Sequence, residues 1–211
     1  DAIISPLAKP AAPGCAAAAA QKGVRIATGA FGMADLEHGI ANAADSVFEA
    51  GSVAKQFTAA AIVLLAADGK IALSDDIRKY LPELPDYGTP ITIDHLLSHT
   101  SGLRDWGSVM AIAGWARGTR AYDNDDALRV VARQKALNYA PGEEYSYTNS
   151  GYNLMAVIVE RASGKSLAEF SKERMFGPLG MTRTTWRDDF RRIVKDHAIA
   201  YDRAGDGWEE M

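Results

Sequence analysis

The pattern of apolar and polar positions along the chain changes near residue 52. Before that point, two runs rich in small and apolar residues, 15–20 and 24–33, flank Gln21-Lys22-Gly23, a pattern that predicts two strands joined by a glycine turn. After it, apolar residues recur at helical spacing between capping residues and glycine or proline stops. The sequence therefore predicts N-terminal strands followed by a largely helical block.

The helical block has visible starts and stops, and no repeat or low-complexity linker divides it. Residues 59–67 read AAAIVLLAA, without a polar side at any angle, which predicts a helix that is buried all round and runs through the middle of the protein. Helices are predicted over 52–67 (ending at Asp68-Gly69), 92–98, 123 to about 136, 149–164 and 166–177, the last starting with capping-box spacing.

Composition and charge narrow the function classes. With 211 residues, 47% apolar and 24% charged, the chain has ordinary globular values, which exclude fibrous and disordered classes. The net charge of -4 and the scattered basic residues give no electrostatic footprint for nucleic acid. The longest apolar run, residues 59–67, is far shorter than the roughly 20 residues that span a bilayer. We expect a small-molecule or peptide substrate, no nucleic acid and no membrane span.

Cysteine and histidine offer little chemistry. The single Cys15 excludes an internal disulfide, and the four histidines have no spacing typical of a zinc site, so neither a metal nor a cofactor is predicted. The chain begins at Asp1 and no targeting segment is visible in it. Localisation cannot be derived from these residues.

The start of the first helix carries a candidate nucleophile and base. Ser52 and Lys55 are three residues apart, so their side chains share one helix face and the amine can reach the hydroxyl. The helix macrodipole and burial both disfavour the charged amine, and the same positive end favours a developing serine alkoxide. The plain alternative is that Ser52 is only an N-cap and that the Lys55 side chain extends its amine to water.

A second cluster follows Pro141-Gly142. Tyr147 and Asn149 are two apart, and in an extended segment this spacing points both to one side, a phenol for proton transfer and an amide to orient substrate or lysine. Alternatively, Asn149 is the N-cap of the following helix and Tyr147 is a packing residue.

Taken together, Ser52-Val53-Ala54-Lys55 and Tyr147-Thr148-Asn149, in that order and about ninety residues apart, resemble class C β-lactamases and penicillin-binding-protein-like serine hydrolases. Other segments are similar to recurring parts of that family: residues 31–37, 48–52, 96–103 and 178–181. The resemblance implies an α+β fold, a largely helical domain plus N-terminal strands of an antiparallel sheet, divided here into 1–51, 52–190 and 191–211. It also implies a periplasmic or secreted location.

The resemblance assigns a role to each candidate residue. Ser52 is the acyl-accepting nucleophile, Lys55 the activating base, Tyr147 the proton shuttle to the leaving group and Asn149 the substrate-orienting amide. Whether Lys55 or Tyr147 takes the first proton stays open. His99 lies in a segment that is a structural turn in the relatives, although a Ser-His arrangement is a rival interpretation. Trp106 either lines the pocket or packs at the surface or in the core.

One family motif is missing from the sequence. Relatives carry Lys-Thr-Gly or His-x-Gly on a strand that lines the cleft and donates one of two oxyanion-hole N–H groups, and no such triplet follows Asn149. Loss of one donor typically costs about 10²- to 10³-fold in rate. We therefore expect a fragment that lacks the C-terminal strands and is catalytically impaired alone, completed by a missing segment or a second chain. The rival function is a non-catalytic module that binds peptidoglycan-like peptides.

Overall fold

The computed structural model describes residues 11–115, 121–189 and 191–211, which fall into two compact units. One unit comprises Asp1–Gly51 and Arg191–Met211, and the other comprises Ser52–Phe190. The three-segment division into 1–51, 52–190 and 191–211 stays a prediction about domains. The candidate catalytic residues Ser52, Lys55 and Tyr147 and the candidate substrate-binding residue Asn149 all belong to the second unit.

The first unit contains the predicted N-terminal strands. Strand β1 (Cys15–Gln21) pairs antiparallel with β2 (Val24–Phe31). The connecting Lys22 and Gly23 both have positive φ, as two-residue hairpin loops require. The predicted second strand is too long: Gly32 (φ 64°) turns the chain after Phe31, and a separate strand β3 (Met33–Asp35) begins there and pairs with β4 (Ile40–Ala41).

A third hairpin, in the same unit, was not predicted. Strand β5 (Tyr201–Ala204) pairs antiparallel with β6 (Gly207–Glu210). Backbone hydrogen bonds connect the preceding segment to earlier residues: Ala198 N–H donates to Val47 O at 2.8 Å and Ile199 N–H to Ala34 O at 2.8 Å. Across the described ranges the strands thus form three two-stranded sheets.

The second unit is helical and is organised around its longest helix. Helix α5 contacts each of the other five helices and buries Leu154, Met155 and Ile158 completely. The helices are α1 (Lys55–Ala67), α2 (Ile93–Leu97), α3 (Trp106–Ile112), α4 (Asn124–Ala132), α5 (Asn149–Ser163) and α6 (Leu167–Ser171), with 3-10 turns at Gly51–Ala54 and Ile77–Lys79 and a π-helical turn at Lys172–Phe176.

Helix α1 differs from the prediction in two respects. It begins at Lys55, and Ser52 lies in the 3-10 turn before it. It is buried along one face only, at Thr58, Ala61, Ile62 and Leu65, whereas Val63 is 52% exposed. The prediction of a helix buried all round is therefore wrong, because α1 packs on α5 and α6, and its remaining sides include four small alanines that cost little to expose.

Side-chain caps fix the other helix starts. Thr92, Asp123 and Ser166 form reciprocal capping boxes at the starts of α2, α4 and α6. The sequence predicts all three starts, and it predicts the capping box only at Ser166. Helix α4 ends at Ala132, earlier than predicted. Thr148 caps α5, so the alternative in which Asn149 is the N-cap is wrong. Asn149 is the first residue of the helix, and its side chain is available for other contacts.

The α5 core gives a stability prediction. Ile158 is 0% exposed, and we expect Ile158→Ala to lower the free energy of unfolding by about 2 to 5 kcal/mol, through lost burial and the cavity left behind. Ile112, 90% exposed on α3, is the matched control, and Ile112→Ala should leave stability nearly unchanged. Urea unfolding of both variants measures the difference, and equal losses would contradict the packing described.

None of the helices in the described residues is sufficiently long and apolar to pass through a bilayer.

Candidate active site

The Ser52 hydroxyl is at the centre of a cluster of polar side chains. Its Oγ is 2.7 Å from the Tyr147 hydroxyl, and the Lys55 amine donates a hydrogen bond to it at 3.1 Å. Either oxygen of the Ser52–Tyr147 pair can be the donor. The serine oxygen therefore has two partners that are each able to exchange a proton with it.

The Lys55 amine connects the serine to the amide. It donates to Asn149 Oδ1 at 2.9 Å, and it lies 4.9 Å from the centre of the Tyr147 ring and 5.6 Å from that of Tyr152. The Tyr147 hydroxyl lies 3.5 Å from Asn149 Oδ1. The structure thus brings together all four residues that the sequence singles out, and their catalytic roles stay predictions.

Local backbone geometry explains how each pair is presented. In a 3-10 turn, side chains three residues apart eclipse, so Ser52 and Lys55 point to the same side even though α1 begins only at Lys55. Tyr147 and Asn149 flank Thr148, which is buried and points its hydroxyl to the Ser150 N–H as the α5 cap. Both flanking side chains reach the Lys55 amine, Asn149 through Oδ1 and Tyr147 through its ring.

A turn at residues 99–102 holds the tyrosine loop in place. His99 adopts a left-handed conformation (φ 58°), and its carbonyl accepts from the Ser146 N–H at 2.9 Å. Gly102 also has positive φ (71°), and a Cβ there would lie 2.2 Å from Tyr139 O, so this position requires glycine. The turn therefore fixes the chain just before Tyr147, as the resemblance implies for this segment.

The His99 side chain packs against the loop. Its Nδ1 accepts a hydrogen bond from the Thr148 N–H at 3.3 Å, and its ring centre lies 4.6 Å from that of Tyr147 and 5.1 Å from that of Tyr152. Burial, and next the positive charge of Lys55, lower the pKa of His99. A neutral His99 accepts a hydrogen bond from the Thr148 backbone and packs against the Tyr147 ring. These contacts favour a structural role for His99 over a catalytic Ser-His arrangement.

This arrangement predicts a pH dependence. A histidine whose pKa is lowered by folding contributes stability that is present above its unfolded pKa of about 6.5 and is lost as pH falls through the folded value. Protonation also removes the acceptor for the Thr148 N–H. We expect wild type to lose more thermal stability than His99→Asn between pH 7.5 and 5, because asparagine tolerates positive φ and does not titrate. Parallel melting curves over this range would contradict the prediction.

Asp105 accepts hydrogen bonds from Thr148 and Asn149 at the start of α5. Its Oδ2 accepts from the Asn149 backbone N–H at 2.8 Å, from Asn149 Nδ2 at 3.1 Å and from the Thr148 hydroxyl at 3.4 Å, while Oδ1 accepts from the Ser108 N–H at 3.0 Å and caps α3. Burial acts to raise the pKa of Asp105, but the hydrogen bonds from Asn149 and Ser108 together outweigh it, and the net pKa is lowered.

Sequence reasoning missed Asp105. An aspartate three residues before Ser108 at the start of an apolar run has the pattern of an N-cap, and that signal predicts only its contacts with Ser108. The bond to Asn149, 44 residues away, has no local signal. Trp106, next to it, is 8% exposed and donates from Nε1 to Asn153 Oδ1 at 2.9 Å, which places it in the core rather than in a pocket wall.

Across the part of the chain that the structure describes, no three His, Cys, Asp or Glu side chains are grouped so that they could hold a metal ion.

Comparison with known proteins identifies the family. A family model described as Beta-lactamase matches residues 1–211. A D-aminopeptidase of Cereibacter sphaeroides (strain ATCC 17029 / ATH 2.4.9) is 32% identical over 191 residues, 90% of this chain and 36% of that protein. Esterase EstB of Burkholderia gladioli is 37% identical over 180 residues, 80% of this chain and 45% of that protein.

The fold is shared with solved structures. The octameric penicillin-binding protein homologue from Pyrococcus abyssi has 28% sequence identity and superposes with a TM-score of 0.82 over 94% of this chain and 46% of its own. This confirms the predicted α+β class, a helical block with N-terminal antiparallel strands. The chain spans less than half the length of each of these relatives. From the match over its full length, we conclude that the chain belongs to the Beta-lactamase family.

Proposed function

We propose that this chain carries the nucleophile, base and proton shuttle of a serine hydrolase that forms an acyl-enzyme on an amide or ester carbonyl. The observation that carries the proposal is the pair of hydrogen bonds at Ser52 Oγ, one with Lys55 Nζ and one with the Tyr147 hydroxyl. Relatives named D-aminopeptidase and esterase support an amide or ester carbonyl as the target.

Acylation begins with removal of the Ser52 proton. In its neutral form, the Lys55 amine has a lone pair that can take this proton directly at 3.1 Å, and Tyr147 at 2.7 Å offers a second route as phenolate. The Ser52 oxygen then bonds to the carbonyl carbon, and the carbonyl oxygen becomes an oxyanion. One N–H of the Lys55 amine donates to Asn149 Oδ1. The lone pair of the neutral amine is then left to accept the Ser52 proton.

The leaving group departs with a proton. Tyr147 is 46% exposed and its hydroxyl lies beside Ser52 Oγ, so it can pass a proton to the leaving amine or alkoxide while the carbonyl reforms. Water then attacks the acyl carbon and gives a proton to the same base, and that proton returns to Ser52 Oγ as the acid leaves. Ser52 Oγ lies within hydrogen-bond distance of both Lys55 Nζ and the Tyr147 hydroxyl, which is the condition for efficient general acid–base catalysis.

The proposal includes a strand supplied from outside these 211 residues. The Ser52 backbone N–H is one oxyanion donor, and the printed sequence offers no Lys-Thr-Gly or His-x-Gly triplet after Asn149 for the second. A further segment or a second chain would provide it. Because one donor is worth about 10²- to 10³-fold in rate, we expect slow turnover by this chain alone.

Hydrolysis of simple chromogenic substrates tests the proposal. Wild type should release nitrophenolate from p-nitrophenyl acetate and nitroaniline from D-alanine p-nitroanilide slowly but above buffer, and Ser52→Ala should reduce both to the buffer rate. The ester should react faster because its leaving group needs no protonation. Equal rates for wild type and Ser52→Ala would overturn the proposal.

We also propose a periplasmic or secreted location, which rests on the family resemblance. Fractionation of cells that produce the protein tests it: recovery in the cytoplasmic fraction alone would contradict it.

A further inference from the structure

We propose that Asp105 is a positioning residue for the reaction: it fixes the orientation of the Asn149 amide, and through that amide it holds the Lys55 amine on Ser52. This inference rests on the proposed function and assigns a role to a residue outside the Ser-Lys-Tyr-Asn set. Asp105 makes no hydrogen bond to Ser52, Lys55 or Tyr147 among the described contacts, so it acts through Asn149.

The chemistry of a carboxylate determines which way the amide points. An asparagine side chain has a donor face and an acceptor face, whereas an ionised carboxylate only accepts. Asp105 Oδ2, 3.1 Å from the Asn149 side chain, therefore selects the NH2 group on its side. The carbonyl Oδ1 is then left on the opposite side, where Lys55 Nζ donates to it at 2.9 Å.

The same oxygen also fixes the backbone that carries the amide. Asp105 Oδ2 accepts from the Asn149 N–H at 2.8 Å and from the Thr148 hydroxyl at 3.4 Å. Its other oxygen is anchored by the Ser108 N–H and hydroxyl at the start of α3. The carboxylate thus connects the first turn of α3 to the first residue of α5 and limits the movement of Asn149 relative to Lys55.

Asp105→Asn reverses this polarity with little change in shape. Asparagine is a good N-cap, so its oxygen can keep the Ser108 contact. Its NH2 group then faces the N–H and NH2 of Asn149, donor against donor, and the Asn149 amide turns its NH2 toward Lys55. A misplaced reacting group typically costs up to about 10²-fold in rate, and we expect a 10- to 100-fold slower reaction of Ser52 with a fluorophosphonate.

Asp123→Asn is the matched control. Asp123 is the N-cap of α4, and its side chain bonds within its own capping box, to Asp126. The substitution is chemically identical, so it reports the cost of altering an aspartate cap alone. We expect Asp123→Asn to react at the wild-type rate. A double-variant cycle adds the decisive readout: in an Asn149→Ala background, Asp105→Asn should cause a much smaller loss than in wild type, because the side-chain amide is absent and only the contacts with the Asn149 N–H and the Thr148 hydroxyl are still disturbed.

Three labelling results would overturn the proposal: a wild-type reaction rate for Asp105→Asn, equal losses for Asp105→Asn and Asp123→Asn, or the same loss with and without the Asn149 side chain.

If wild type itself does not react, the proposed function fails, and the orientation of the Asn149 amide is decided by NMR instead. The Asn149 side-chain NH2 should then exchange slowly with solvent in wild type and faster in Asp105→Asn, with the Asn153 NH2, bonded to Asn124, unchanged. Unaltered exchange at Asn149 would overturn it.

Discussion

Replacing Lys55 with methionine should slow acylation of Ser52 by about 10²- to 10⁴-fold, the range that a positioned general base contributes. Methionine keeps much of the length and apolar volume of the side chain but removes the group that bonds both Ser52 Oγ and Asn149 Oδ1. The rate of fluorophosphonate labelling at pH 7.5 measures the effect directly, because it reports formation of the bond to Ser52 and does not depend on deacylation.

Two further variants show whether Lys55 acts by accepting a proton or by its positive charge. Lys55→Arg keeps a cation in place but cannot give up a proton at this pH, so it should be nearly as slow as Lys55→Met. Lys79→Met removes a lysine of the same unit that pairs with Asp75 far from Ser52 in the chain, and it should label at the wild-type rate. If Lys55→Arg labels as fast as wild type, Lys55 acts as a positive charge and not as a base.

Replacing Tyr147 with phenylalanine should also slow acylation of Ser52, by a factor comparable to that expected for Lys55→Met. The ring contacts with His99 and Lys55 remain, and only the hydroxyl 2.7 Å from Ser52 Oγ is lost. The loss should be larger for D-alanine p-nitroanilide than for p-nitrophenyl acetate, because an amine must be protonated as it leaves and nitrophenolate need not be.

Tyr145→Phe is the control for this variant. Tyr145 is in the same loop, is 70% exposed and contacts the His99 ring edge-on. Its substitution removes a phenol two residues from Tyr147 without touching Ser52, and we expect rates close to wild type with both substrates. Equal effects of the two substitutions would mean that Tyr147 contributes to the loop rather than to proton transfer.

Local features of the fold and site follow from the sequence, and distant ones do not. Ser52 and Lys55 meet because side chains three residues apart meet in any helical turn. Contact between Ser52 and Tyr147 spans 95 residues, and only the family resemblance indicated it. Asp105 was missed for the same reason, since its cap pattern is local and its bond to Asn149 is not.

Two errors in the fold have physical explanations. The burial of α1 was overestimated because alanine is apolar but small, so an alanine-rich face does not need to be covered. The hairpin of β5 and β6 was missed although Gly205-Asp206 is a recognised two-residue turn pair between short runs that contain Tyr201 and Trp208. That signal was present in the sequence and could have found the hairpin.

The most direct test of Ser52 as the nucleophile is intact-mass and peptide-mapping spectrometry after incubation with a fluorophosphonate. Fluoride leaves as Ser52 Oγ bonds to phosphorus, so we expect one phosphonyl group per folded chain, on the peptide that contains Ser52, and none on Ser52→Ala. An unmodified wild-type chain that is demonstrably folded, or a phosphonyl group on any other residue, would contradict it.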